Sequence, residues 1–286
     1  MENSRLVAGY PRFVTPEFEP FDPVELLRWT EEIVCRGDAR KYTAFYATGV
    51  YGGIGTGYAV GCCLRCIFCW VEFSRDFPEL YGKFYSAEEA ARRIVAAARH
   101  YGTPRARISG GEPTLGKEHL LSVLQHIERE PRIRLFILET NGIPLAIDPD
   151  YVHALEEFTK IHVRVSLKAG TPEAFSKKTG ARPEAFELPF KAISHLLQHR
   201  ISFHVAAMSL DPRFMSPEER TALMKRLASL DFRLLLNLEE EVVDPYDTTL
   251  KRLAAANWRV KWPLRRVYTP ISETLRELLR QRRQRS

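Results

Sequence analysis

From residue 86 onward the chain alternates between two hydrophobic periodicities. SAEEAARRIVAAARHY carries apolar residues at helical spacing and opens with the capping box Ser86-Ala87-Glu88-Glu89. Short, nearly continuous apolar runs follow at RARIS (105–109), IRLFILET (133–140), KIHVRVSL (160–167), ISFHVAAM (201–208) and FRLLLNLE (232–239), the pattern of strands buried on both faces. Between them lie the helical stretches KEHLLSVLQHIE, PDYVHALEEF (149–158), PEAFSKKT, LPFKAISHLLQH (188–199) and SPEERTALMKRLASL (216–230). This is β-α repeated about six times, so the strands run parallel with right-handed crossovers. Six repeats are too few for a closed eight-fold barrel. The pattern predicts an α/β fold, a partial (β/α)6 barrel whose site lies in the loops at the strand C-terminal ends. A flat doubly wound sheet fits the same pattern.

Ahead of the repeats, residues 1–50 read as an N-terminal extension. It has a proline-rich start (Pro11, Pro16, Pro20, Pro23) and a helix from about Pro23 to Cys35, with Asp22 as N-cap and Pro23 in the first position. A Gly- and aromatic-rich strand and loop, TAFYATGVYGGIGTGYAVG, leads into a cysteine cluster. The expected organisation is an extension at 1–50, the barrel at 51–245, and a C-terminal appendage with a basic helix at 246–286. No apolar stretch is long enough to span a membrane. MENSRLVAGYPRF lacks the layout of a signal peptide, so a cytoplasmic location and no membrane partner are expected.

Composition excludes disordered, collagen-like and coiled-coil classes: 45% of residues are hydrophobic and 27% charged. The net charge of +6 changes the picture once it is located. Trp258–Ser286 holds nine basic and two acidic residues, so the rest of the chain is nearly neutral. A terminus ending RELLRQRRQRS is either a solvated helix face or a contact for nucleic acid or an acidic partner.

The five cysteines are Cys35, Cys62, Cys63, Cys66 and Cys69, and the last four fall within GCCLRCIFCW. Such a cluster in a reducing compartment indicates metal or redox chemistry rather than disulfide staples. Cys62, Cys66 and Cys69 have the spacing C-x3-C-x2-C, which supplies three ligands where a closed zinc site or an iron–sulfur cube wants four. An open coordination position is where chemistry happens. The spacing favours iron–sulfur. A zinc knuckle completed by His100, His119, His162 or His204 is the alternative. Further polar residues sit where strands end: Gly110-Gly111-Glu112-Pro113-Thr114, Glu139-Thr140-Asn141-Gly142 and Ser166-Leu167-Lys168. Paired glycines let backbone approach a ligand. Glu112 can accept from an ammonium and Lys168 can meet a carboxylate. Glu139 and Asn141 are spaced for ribose hydroxyls. Each segment also reads as an ordinary turn.

Together these features resemble the radical S-adenosylmethionine (radical SAM) superfamily. Its C-x3-C-x-aromatic-C signature is matched by Cys62, Cys66, Phe68 and Cys69, and its second motif by GGEP. The resemblance spans roughly residues 55 to 240. SLKAGTPEAFSKKTG (166–180) further resembles the branch typified by pyruvate formate-lyase activating enzymes, with Ser166 where that branch also has Asp. The resemblance implies that Cys62, Cys66 and Cys69 ligate three irons of a [4Fe–4S] cluster. The fourth iron then binds the amino and carboxylate groups of S-adenosylmethionine. It further implies Phe68 near the adenine, Gly110, Gly111 and Glu112 at the methionine amino group, and Glu139 and Asn141 at the ribose. Ser166 and Lys168 fall at the methionyl end, and His204 borders the adenine pocket.

The implied oxidoreductase-type chemistry is one-electron cleavage of the cosubstrate to a 5′-deoxyadenosyl radical that abstracts hydrogen. The electron comes from a reduced flavodoxin or ferredoxin type donor, and the substrate is a protein glycine or a small molecule. Cys35 and Cys63 are too few for a second four-cysteine cluster. Two other functions stand beside this one. The same chemistry could act on RNA through the basic tail, since Cys69-Trp70 also resembles the tRNA wybutosine-synthesis radical enzymes. The third is a non-catalytic zinc or iron–sulfur binding module.

Overall fold

The computed structural model describes residues 6–277. Helix α1 (Pro23–Val34) begins as expected, with the Asp22 carboxylate accepting from the Val24 amide. A short strand β1 (Cys35–Arg36) leads to β2 (Ala39–Thr48), which pairs antiparallel with β3 (Ile54–Ala59) and with β4 (Lys83–Ser86). Helix α2 (Ala87–Tyr101) is capped by Ser86, whose hydroxyl accepts from the Glu89 amide, and it ends at Gly102 in the left-handed region. There follow β5 (Arg105–Gly110), α3 (Lys117–Arg129), β6 (Leu135–Thr140), α4 (Ile143–Ile147), α5 (Pro149–Leu155) and β7 (Ile161–Leu167). The chain then forms α6 (Pro172–Thr179), α7 (Glu187–Gln198), β8 (Phe203–Ala207), α8 (Pro217–Leu230), α9 (Arg233–Leu236), β9 (Glu239–Glu240) and α10 (Asp247–Ala255).

Strands β3, β5, β6, β7, β8 and β9 lie side by side in that order, each pair parallel. With the helices packed on the outer face, this is the architecture of a partial (β/α) barrel. The outward row is apolar and fully buried: Ile108, Leu138, Val163, Val165 and Val205 pack against the helices. The alternate residues point inward, and there the apolar runs conceal a polar row of Arg107, Ser109, Glu139, Arg164, Ser166 and His204.

One element differs from expectation. Residues 232–239 were expected to form a strand, yet they form the turn of helix α9, and β9 contributes only two residues. The cause is local. The Asp231 carboxylate accepts from the Arg233 amide at 2.8 Å and its carbonyl accepts from the Leu234 amide, which starts a helical turn. A short run of leucines has no periodicity to oppose it. The expected basic C-terminal helix is helical over 271–277, and the rest of it lies outside the described residues. Among the described residues no helix is long and apolar enough to cross a membrane.

Candidate functional site

The cysteine loop follows β3, and the GGEP loop follows β5 beside it. The Gly111 amide donates to the Ala59 carbonyl at 2.7 Å and the Glu112 amide to the Gly61 carbonyl at 2.8 Å, which zips the two loops together. A Cβ at Gly111 would lie 1.9 Å from the Gly61 oxygen. Glycine is therefore required there for the approach of one backbone to another, before any ligand is considered.

Glu112 is buried, and its carboxylate accepts from four donors: the Thr114 amide (3.0 Å), the Thr114 hydroxyl (2.6 Å), the Thr140 hydroxyl (2.7 Å) and the Asn141 amide (2.8 Å). Three of these converge on Oε1 and one on Oε2, so Glu112 knots the loop after β5 to the loop after β6. Buried Arg40, on β2, donates to the carbonyls of Glu112, Pro113 and Leu115 and closes the same loop from behind. The Asn141 amide nitrogen lies 3.2 Å from Cys63 Sγ and 3.8 Å from Cys62 Sγ, so this side chain reaches toward the cysteine loop.

The cysteine loop has irregular backbone in a buried position, and its carbonyls need donors. Arg65 supplies the carbonyls of Cys62 and Leu64, Arg75 that of Cys66, and Arg252 those of Cys69 and Val71. The Arg65 and Ile67 amides donate to the carbonyls of Thr179 and Lys178 at the end of α6. All five cysteines are free. A hydrogen bond from Cys63 outweighs burial at Cys62 and lowers its thiol to about 7. Burial pushes Cys66 up to about 12 and raises Cys63 as well.

A cavity of about 160 Å³ opens at the strand C-terminal ends. It is lined by Cys62, Cys66 and Cys69 together with Phe68, Gly110, Gly111, Glu112, Glu139, Asn141, Ser166 and Lys168. The structure thus brings together every residue nominated from the sequence except His204. That residue belongs to a separate hydrogen-bonded chain in the barrel interior, 2.7 Å from His162 on one side and 2.8 Å from Glu239 on the other. No described histidine lines the cavity. His119 is engaged by the Tyr42 hydroxyl and the Asp38 carbonyl, and His100 is exposed on α2.

The cavity continues into the barrel through Ser109, Arg164 and Glu241, which sequence reading did not single out. Glu139 is held by Arg107 (2.7 Å), Tyr51 (2.9 Å) and Ser109 (2.9 Å). Arg164 spans Glu239 and Glu241 at 2.9 and 2.7 Å. Burial would raise Glu239, but hydrogen bonds from His204 and Arg164 prevail and hold its carboxyl at about 2. Their signal was present as charged and hydroxyl residues at alternate positions within apolar strands (Arg107 and Ser109, Arg164 and Ser166).

Three cysteines with no described histidine beside them at the cavity fit the donor set of an iron–sulfur cluster with one position left open. A tetrahedral ion bound at 2.3 Å holds its sulfurs roughly 3.8 Å apart. Among the described residues the one trio of ligating side chains with donor atoms within 4.8 Å is His153, Glu156 and His199, on the outer helices. Cys62, Cys66 and Cys69 do not form such a trio, and instead line a common cavity.

Comparison with known proteins points the same way. The family model described as Radical SAM superfamily matches residues 58–227, more than half of the chain. The chain is 36% identical over 118 residues to a probable GTP 3′,8-cyclase of Methanococcus maripaludis, covering 41% of this chain and 37% of the relative. It is 28% identical over 141 residues to the GTP 3′,8-cyclase of Vibrio cholerae, covering 46% and 41%. The chain therefore spans well under half the length of these two curated relatives. Among solved structures it is similar to Streptococcus suis SuiB bound to precursor peptide SuiA (TM-score 0.53, 17% identity, 78% of this chain and 45% of that one). It is also similar to the FeFe-hydrogenase maturase HydG from Carboxydothermus hydrogenoformans (TM-score 0.50, 18% identity, 68% and 49%). At such identities the likeness shows a shared fold.

Proposed function

The chain belongs to the radical SAM superfamily, and from that premise we propose that it is a radical SAM enzyme acting on an organic substrate held in the barrel interior. Cys62, Cys66 and Cys69 would hold a [4Fe–4S] cluster with S-adenosylmethionine beside it. When bound, this pair supplies one-electron cleavage of the sulfonium and hydrogen abstraction from substrate, with the electron coming from a flavodoxin- or ferredoxin-type donor.

The remaining roles fall to the chain's own side chains. Lys168, steadied by the Ser166 hydroxyl at 2.5 Å, would meet the cosubstrate carboxylate as a point charge. The Gly110–Gly111 backbone would meet the amino group, with Glu112 bracing it. Glu139 and Asn141 would face the ribose while keeping the contacts that orient them, and Phe68 would pack against the adenine. The barrel walls would exclude water from a reactive intermediate. The ion-paired interior favours a small polar substrate, although a protein glycine presented on a loop uses the same opening. Affinity with the activating-enzyme branch rests on the sequence of residues 166–180, whose last helical carbonyls also anchor the cysteine loop.

The observation that carries this reading is the convergence of three cysteines and three strand-end motifs on one cavity. The test is anaerobic reconstitution with iron and sulfide, followed by reduction with S-adenosylmethionine present. Release of 5′-deoxyadenosine by the wild type, and its loss in Cys62→Ala, Cys66→Ala and Cys69→Ala, is expected. A cluster-loaded protein that releases none overturns the reading.

Action on RNA is the second reading, favoured by the exposed Arg259, Lys261, Arg265 and Arg266. Their segment begins at Trp258, which stacks on Phe214, itself packed against Phe68 beside the cavity. Salt-dependent RNA binding that survives reversal of these four charges would remove its support.

A further inference from the structure

Three guanidiniums are buried around the cysteine loop. Arg65, Arg75 and Arg252 are each 2% exposed or less, and the one carboxylate buried among them is Asp76. Asp76 pairs with both Arg75 and Arg252. Of the other acidic groups nearby, Glu79 is paired with Arg12, and the buried Glu112 is offset in the charge count by the buried Arg40, whose guanidinium binds the Glu112 backbone carbonyl. The loop is thus surrounded by a surplus of two positive charges. Unpaired buried charge is strongly disfavoured, so an uncharged loop gives this arrangement no counterpart, whereas three thiolates do. Arg65 Nη2 and Arg252 Nε are also among the buried side-chain nitrogens that find no partner.

Arg252 is the member furthest away in sequence, 183 residues from Cys69. It donates to the carbonyls of Cys69 and Val71, both at 2.6 Å, and of Glu72 at 3.2 Å, and it pairs with Asp76 at 2.5 Å. The hydroxyls of Thr248 and Thr249, on the same helical segment, donate to the carbonyls of Trp70 and Cys69. One face of α10 is therefore laid on the backbone that carries the last cysteine of the motif.

We infer that Arg252 is a positioning residue of the cluster site: it fixes the backbone around Cys69, and its buried charge favours the reduced state of the cluster. Net charge and hydrogen bonding are established determinants of cluster potential. This inference rests on the proposed function, and the experiment separates the two.

Full-length wild type, Arg252→Gln, Arg252→Lys and Asp76→Asn are reconstituted anaerobically, and each is titrated potentiometrically without cosubstrate while iron retention is followed. Arg252→Gln is expected to shift the reduction equilibrium about tenfold toward the oxidised cluster, a fall of about 59 mV for one electron. Asp76→Asn, which removes the counter-charge, is expected to shift it the opposite way. Arg252→Lys keeps the charge, so its potential stays near wild type. It loses iron faster, because one ammonium cannot hold three carbonyls and a carboxylate in a fixed fork. If Arg252→Gln fails to fold, the sign of the Asp76→Asn shift decides. Equal potentials in wild type and the charge-changing variants overturn the inference and leave the function standing. A wild type that takes up no cluster overturns both.

Discussion

Buried arginines occupy two regions of this molecule and are balanced differently in each. In the barrel interior Arg107 faces Glu139, and Arg164 faces Glu239 and Glu241, so cations meet carboxylates. Around the loops that frame the cavity, Arg40, Arg65, Arg75 and Arg252 bind backbone carbonyls, with Asp76 and Glu112 the buried carboxylates among them. Carbonyls satisfy hydrogen bonds without neutralising charge. The interior is therefore polar and slightly acidic, fit to admit a polar molecule, while the loops are left positive, fit to surround an anionic group. The same residue type builds a charge-balanced polar chamber in one place and an electrostatic cradle in the other.

The comparison breaks most visibly at the cysteines. Replacing Cys62, Cys66 or Cys69 with Ala is expected to lower cluster affinity by more than the roughly 100-fold that loss of an outer partner costs, read as iron retained on a desalting column. Replacing Cys63 or Cys35 should cost far less. A Cys35→Ala variant as defective as Cys66→Ala would mean that the positive cradle surrounds a different ligand set.

Next in size is the carboxylate that knots the two strand-end loops. Glu112→Gln puts an amide among donors and is expected to cost about 3–4 kcal/mol in chemical denaturation. Glu139→Gln, in the more open interior, should cost about 1 kcal/mol. Equal losses would erase the distinction between a structural knot and an adaptable lining.

His119 reports whether positive charge near Arg40 is felt. Burial, and with it Arg40, pushes its imidazole down to about 4. The unfolded chain therefore binds a proton at His119 before the folded one does, and stability falls as pH drops from about 6.5 to about 4. The loss amounts to roughly 2–3 kcal/mol at the acid end. Denaturant midpoints across that window should show the slope in wild type and a flatter one in His119→Asn. The smallest effect is expected in the interior. A double-mutant cycle on Arg164 and Glu239 should give a coupling of about 1 kcal/mol, since the carboxylate is partly solvated.

What could be read from sequence follows the range over which each feature is decided. The cysteine spacing and the GGEP, ETNG and SLK segments are local and lie at strand ends, so their convergence followed once the β-α alternation was recognised. Glu112 and Glu139 were nominated as ligand contacts, yet both carboxylates are engaged by protein donors that only the folded loops bring near. Arg40 and Arg252 gave no signal at all. Their partners lie 73 and 183 residues away, and an isolated arginine on a strand or helix reads as a solvated side chain. The strand expected at 232–239 failed because Asp231 captures the next amides and bends the run into a turn.

The deciding property of the molecule is whether the cradle holds a cluster. Iron and acid-labile sulfide measured per chain after anaerobic reconstitution, with the electron paramagnetic resonance spectrum of the reduced protein, answer that. One [4Fe–4S] equivalent in the wild type, lost when Cys62, Cys66 and Cys69 are together replaced by Ala, is the predicted result. Stoichiometric zinc with no sulfide, or a cluster that persists in the triple variant, would contradict it.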